Sequence, residues 1–189
     1  MSNVIYGNRA TAKAVQDVNV LQVDSTTEAV KVLDYSHAEL HSGSHYMYRE
    51  YHNISKAGVQ EHLMITPDDP KWAHFVLGVD AISSSVVIEL IEGVTYTTAG
   101  TLENVTNRNR NFPDNNTVLL YEDPTGVAGG TLLKSYYLGA GKNSNGGAAR
   151  DTEEIILKQN TTYLIRITEQ NISATVVNLN FDWYEHTNK

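Results

Sequence analysis

KWAHFVLGVDAI, residues 71–82, decides the fold. On an extended chain Trp72, His74, Val76 and Gly78 lie on one side and Ala73, Phe75, Leu77 and Val79 on the other. The run follows a Pro67-Asp68-Asp69-Pro70 turn and is followed by SSVVIELIEGVTYT (84–97) and a turn at Gly100. Upstream, HYMYREYHNI (45–54) reads as an alternating strand with aromatic and Met side chains, and EHLMITP (61–67) is a short strand closed by Pro67. Downstream, TLENVTNRN (101–109) reads as a strand and Asn111–Asn116 as a loop. TVLLYEDP (117–124), TLLKSYYLG (131–139), EEIILKQNTTYLIRITEQ (153–170) and ATVVNLNFDWYEHT (174–187) complete the series. Short strands separated by Gly, Pro and Asn turns predict an all-β sandwich or barrel. With roughly eight to ten strands, a jelly roll fits best.

Residues 1–34 are patterned differently. Ala10–Val18 has weak helical character, and VNVLQVDS (18–25) alternates without a clear apolar face. Thr26–Leu33 reads equally as a short helix capped by Ser25 or Thr26 or as a strand. Such a segment either packs on a neighbour or supplies the first strands of the same domain. We take 1–34 as an extended N-terminal arm and 35–189 as the β-sandwich domain.

The chain has 189 residues, 41% hydrophobic and 19% charged, which suits one substantial core. A net charge of -8 disfavours nucleic-acid binding, and the longest basic concentration, Asn107–Asn111, carries only Arg108 and Arg110. No run approaches a membrane span, and the N-terminus has no apolar signal core. The Asn-x-Ser/Thr triplets at Asn53, Asn104, Asn115, Asn160 and Asn171 are therefore read as features of an Asn- and Thr-rich strand protein. With no cysteine, a disulfide framework, a thiolate zinc site and a cysteine nucleophile are excluded.

Four of the seven histidines fall in HAELHSGSHYMYREYH, residues 37–52. His37, His41 and His45 are spaced for one helical face, but Ser42-Gly43-Ser44 is a turn signal that breaks the helix. HAELH is not a zincin motif, because Glu39 lies midway between the histidines. On a strand, His37, Glu39 and His41 share a face and form a legal ligand set, which makes them the metal candidates. The alternative is a set of polar contact residues where arm and domain meet.

Other chemistry is weaker. Gly139-Ala140-Gly141-Lys142-Asn143-Ser144 departs from a phosphate loop, since Asn143 stands where Ser or Thr is needed and no helix follows. Glu89 with Glu92, or Glu153 with Glu154, reads as a solvated acidic face, and no GxSxG occurs. FDWYEHT alternates Phe181, Trp183 and Glu185 with Asp182, Tyr184 and His186. It closes a core or an interface, or presents an aromatic platform for sugars. The loop Leu138–Arg150 is too Gly-rich to pack a core.

HAELHSGSHYMYREYH, LMITPDDPKWAHFVLGV, NRNRN, the Gly-rich loop running into ARDTEEIILKQNTTYLIRIT, and the final FDWYEHT occur in an order that resembles a family of small structural proteins of tailed bacteriophages. These are typically encoded near the major capsid protein. The resemblance covers roughly residues 35–189, and KQNTTYLIRIT and WYEHTNK are its most specific parts. It implies a non-enzymatic virion protein that decorates and stabilises the capsid shell, assembled in the host cytoplasm and carrying no cofactor. The implied partners are the major capsid protein and copies of the chain itself, as a trimer or, second, a dimer, with no nucleic acid and no membrane. In that setting Arg108, Arg110, Lys142 and Arg150 are interface candidates that pair with acidic groups on a neighbour. The alternative function is a receptor- or glycan-binding module on the tail or head. A cupin-like metal enzyme is a third possibility by analogy of fold alone.

Overall fold

The computed structural model describes residues 35–139, 147–150, 154–171 and 173–187. The reading of 1–34 as an arm lies outside them. After a helix α1 (Tyr35–Ser42) come twelve strands: β1 (His45–Ile54), β2 (Val59–Thr66), β3 (Lys71–Ile82), β4 (Val86–Glu92), β5 (Thr101–Leu102), β6 (Thr106–Asn107), β7 (Leu119–Glu122), β8 (Thr131–Leu138), β9 (Gly147–Arg150), β10 (Ile155–Leu157), β11 (Thr161–Glu169) and β12 (Thr175–Thr187).

They form two antiparallel sheets. One runs β10-β3-β12-β1-β6, with β9 also on β3; the other runs β5-β7-β2-β11-β4-β8. Strands β1 to β4 alternate between the sheets, as do β10 to β12, whereas β4 and β8 are neighbours in one sheet. The chain is an all-β sandwich, as the alternation in KWAHFVLGVDAI requires. Ala73, Phe75, Leu77, Val79 and Ala81 are all 5% exposed or less and face the other sheet.

The core between the sheets joins Tyr46, Tyr48 and Ile54 of β1 and Phe181 and Trp183 of β12 to Met64, Leu90, Leu120, Ile165 and Ile167 of the opposite sheet. A smaller cluster of Leu63, Ile91, Val94 and Leu164 lies on the outer face of the second sheet. Bridges Thr95↔Ala128 and Thr98↔Thr125 tie together the loops beside it. Strand β11 is thus covered on both faces. That accounts for the unbroken apolar run Tyr163-Leu164-Ile165, where a half-exposed strand would alternate.

Two stretches divide differently from expectation. TLENVTNRN is not one strand: β5 joins β7 in the second sheet and β6 joins β1 in the first, so Glu103–Val105 crosses between layers. EEIILKQNTTYLIRITEQ likewise splits at Asn160, whose φ is 48°, sending β10 and β11 to opposite sheets. Asn tolerates that left-handed backbone better than most residues.

The His37–Ser42 segment is a helix, not the expected polar strand. Its stop is the predicted Ser42-Gly43-Ser44 turn. Gly43 N–H donates to Leu40 O (3.4 Å) and Ser44 N–H to Glu39 O (3.1 Å), which satisfies the last carbonyls by a Schellman cap. Gly43 has φ 78°, and an added Cβ would lie 2.4 Å from the Phe112 ring. Gly43→Ala is expected to lower stability by about 1–2 kcal/mol, because an L side chain resists that backbone and Phe112 must move. Urea denaturation measures it, and a change under about 0.5 kcal/mol, the range of neutral substitutions, would contradict this account of the cap.

Candidate functional site

Strand parity places Tyr48, Glu50 and His52 on the face of β1 that carries Tyr46 and Ile54 inward. On β2 the same parity rule aligns Gln60, His62, Met64 and Thr66. His62 lies directly opposite Glu122 in the β2–β7 ladder. The β1–β2 connection spans only residues 55–58, so His52 and His62 face each other from the two sheets. Gly100 keeps the far side close: its φ is 97°, and a Cβ there would stand 2.0 Å from the Glu122 carbonyl oxygen.

One donor atom from each of His52, His62 and Glu122 lies within 4.8 Å of the others. His52 Nδ1 is 3.0 Å from Glu122 Oε1, and Gln60 Nε2 donates to the same oxygen at 3.0 Å. The His52 and His62 rings meet edge to face at 5.2 Å, with Tyr48 and Phe181 closing around His62 at 5.7 and 5.8 Å. His62 is fully buried, and neither of its ring nitrogens finds a hydrogen-bond partner among the described residues; nor does Nε2 of His52. Leaving such a group unsatisfied costs about 1–3 kcal/mol. Burial, and secondarily the His52 ring, push the His62 pKa down to about 3, so the imidazole is neutral.

Carboxylates crowd the same end of the sandwich. The Tyr48 hydroxyl donates to Glu50 Oε2 at 2.5 Å. Burial, then Glu122 and Glu50, raise the Glu103 carboxyl above its ordinary range. Burial and the Glu50 hydrogen bond raise the Tyr48 hydroxyl far above its own. A cleft of about 170 Å³ lined by Tyr48, Glu50, Glu103 and Thr106 opens beside them.

The expected site residues lie elsewhere. His37 and His41 do share a helix face, with their Nε2 atoms 3.0 Å apart. The Glu39 carboxylate instead accepts hydrogen bonds from Ser42, at 3.2 Å, and from Ser44. The helix therefore separates the three groups that a strand would have aligned. Arg108 sits 3.6 Å from Asp182 and 3.4 Å from His45 Nε2, and Arg49 pairs with the same Asp182. Arg110 is held in its own loop by Asp114 at 2.9 Å. Arg150 lies on β9 opposite Gly78, and Lys142 lies outside the described residues. Phe181, Trp183 and Tyr184 are all buried, so the aromatic platform in FDWYEHT is core instead.

Another histidine cluster is self-satisfied. His74 pairs with Glu154, His186 Nε2 lies 2.7 Å from His74 Nε2, and the Tyr184 hydroxyl donates to Glu154 at 2.7 Å. The chain matches no protein-family model and no curated protein.

Proposed function

We propose that the protein is a non-enzymatic structural component of a tailed-phage virion that decorates and stabilises the capsid shell. The observation that supports this most is the edge strand β8. It ends the second sheet among the described residues and exposes Leu132 (53%), Leu133 (38%) and Tyr137 (66%). Exposed apolar side chains on the outer strand of a sheet favour association with a neighbour. At the outer strand of the other sheet, Ile156 is 49% exposed.

The strand order supports a jelly roll as the finer fold. With β10-β3-β12-β1 in one layer and β8-β4-β11-β2 in the other, the chain weaves between layers as two Greek keys would. Jelly rolls are common in shells because a rigid sandwich presents loops and edges to its neighbours. In this reading β8 meets a second copy of the chain in a closed oligomer, a trimer first and a dimer second. In the same reading the arm 1–34 reaches the major capsid protein by strand addition, and the loop that carries Arg110 is a contact loop.

Light scattering on the purified chain tests the association directly. The wild type is expected as a closed oligomer, and the double variant Leu132→Lys with Tyr137→Lys as a monomer of unchanged circular dichroism. A monomeric wild type, or an oligomer unaffected by both lysines, would count against the role given to β8.

A further inference from the structure

We propose that His52, His62 and Glu122 bind one divalent transition-metal ion of the zinc class, which clamps the two sheets of the sandwich together. The ligands come from β1 in one sheet and from β2 and β7 in the other, so a bound ion would cross-link layers that otherwise meet through side-chain packing. This stands apart from the virion reading: either can fail without the other.

Three observations carry it. First, the geometry is close. Donors within 4.8 Å of one another need to draw in to about 3.3 Å for tetrahedral coordination at bond lengths of about 2.0–2.1 Å. Side-chain rotation supplies a change of that size. Second, the buried nitrogens of His62 and Nε2 of His52 have no hydrogen-bond partner among the described residues. A neutral imidazole with an unused lone pair is the ligating form. Third, the surroundings suit a cation. Gln60 holds the Glu122 carboxylate in place.

The donor set selects the class of metal. Two imidazoles and one carboxylate match zinc and its neighbours in the first transition row, whereas calcium and magnesium prefer oxygen alone. His62 is fully enclosed, which fits a structural ion better than one that turns over substrate. The His74–His186–Glu154 group is the weaker case, because each of its ring nitrogens has a hydrogen-bond partner, whereas three ring nitrogens of His52 and His62 have none among the described residues.

The test is calorimetric titration of zinc chloride into the full-length chain after EDTA treatment and dialysis. One site per chain is expected. Excess zinc at about a hundred times the dissociation constant should raise Tm by about 5–10 °C. His52→Gln and Glu122→Gln should each weaken binding by at least about tenfold. The pair His37→Ala with His41→Ala, and separately His186→Ala, should leave it unchanged. X-ray absorption on the zinc-loaded wild type should show imidazole scattering and needs no variant to fold. The proposal is overturned by any of three results: no saturable zinc site, binding lost with the control histidines instead, or an absorption spectrum without imidazole.

Discussion

Glu185→Ala is expected to destabilise the sandwich by about 3–5 kcal/mol, lowering Tm by roughly 10 °C. Glu185 is 2% exposed at the end of β12. Its carboxylate accepts from Thr117 N–H (2.8 Å), Thr117 Oγ1 (2.7 Å), Val118 N–H (3.1 Å) and Trp183 Nε1 (2.9 Å). Its own N–H donates to Ser44 O at 2.9 Å, beside the Gly43 turn. One side chain thus ties the loop before β7, the buried indole and the last strand into a single network. Alanine leaves several donors without an acceptor, and each such loss costs more than the hydrogen bond it replaces. The contributions overlap, so they are not summed one by one. Glu185→Gln keeps one acceptor oxygen but turns an amide against N–H donors, and should cost about half as much. Urea denaturation measures both. A loss below about 1 kcal/mol for the alanine variant would mean that water or a shifted loop replaces the network.

The second large effect is an acid limb set by His62 in the metal-free protein. The unfolded chain takes up a proton on this histidine near pH 6.5, whereas burial holds the folded value down to about 3. Unfolding therefore binds a proton anywhere between those limits. Stability is full above pH 6.5 and is lost as pH falls, at up to about 1.4 kcal/mol per unit and about 4–5 kcal/mol in all. Glu103 acts in the opposite sense: its raised carboxyl loses stability as pH climbs from its unfolded value toward its folded one. Glu92, lowered chiefly by its Lys158 hydrogen bond, and Asp114, lowered chiefly by the Asn107 N–H, add losses only below their unfolded values of 4.5 and 3.8. Between pH 6.5 and 5 the fall belongs to His62. His62→Met should remove it, and should leave stability at neutral pH equal or higher because two orphaned nitrogens go with the ring. Chemical denaturation at half-unit pH steps checks this, and an unchanged slope in the methionine variant would contradict it.

Much of the sandwich was legible because period-2 alternation depends only on local geometry. KWAHFVLGVDAI buries Ala73, Phe75, Leu77, Val79 and Ala81, the face that its parity marks, and HYMYREYHNI buries Tyr46, Tyr48 and Ile54 of its own. Gly43 stops the helix where a turn was expected. The errors arose where local pattern was ambiguous or tertiary pairing decided. HAELHS is short and has no apolar face, so neither helix nor strand leaves a periodic mark, and the helix is fixed by its cap and by the Asn109 amide reaching the Leu40 carbonyl. TLENVTNRN is long enough for one strand, but its two ends find partners in different sheets.

The cluster proposed to hold a metal was half visible. His52 shares parity with Tyr46, Tyr48 and Ile54, and His62 with Met64, so both histidines can be read as facing inward. Glu122 could not be joined to them, because its register against His62 exists only once β7 has paired with β2. Arg108 shows the same limit: nothing near residue 108 announces Asp182.

The proposed virion role would place the chain in purified phage particles, and quantitative mass spectrometry of such particles tests it most directly. The expected result is the protein in a fixed stoichiometric ratio to the major capsid protein, retained through density-gradient purification. Its absence from particles, or a handful of copies per particle, would contradict a shell-decorating role.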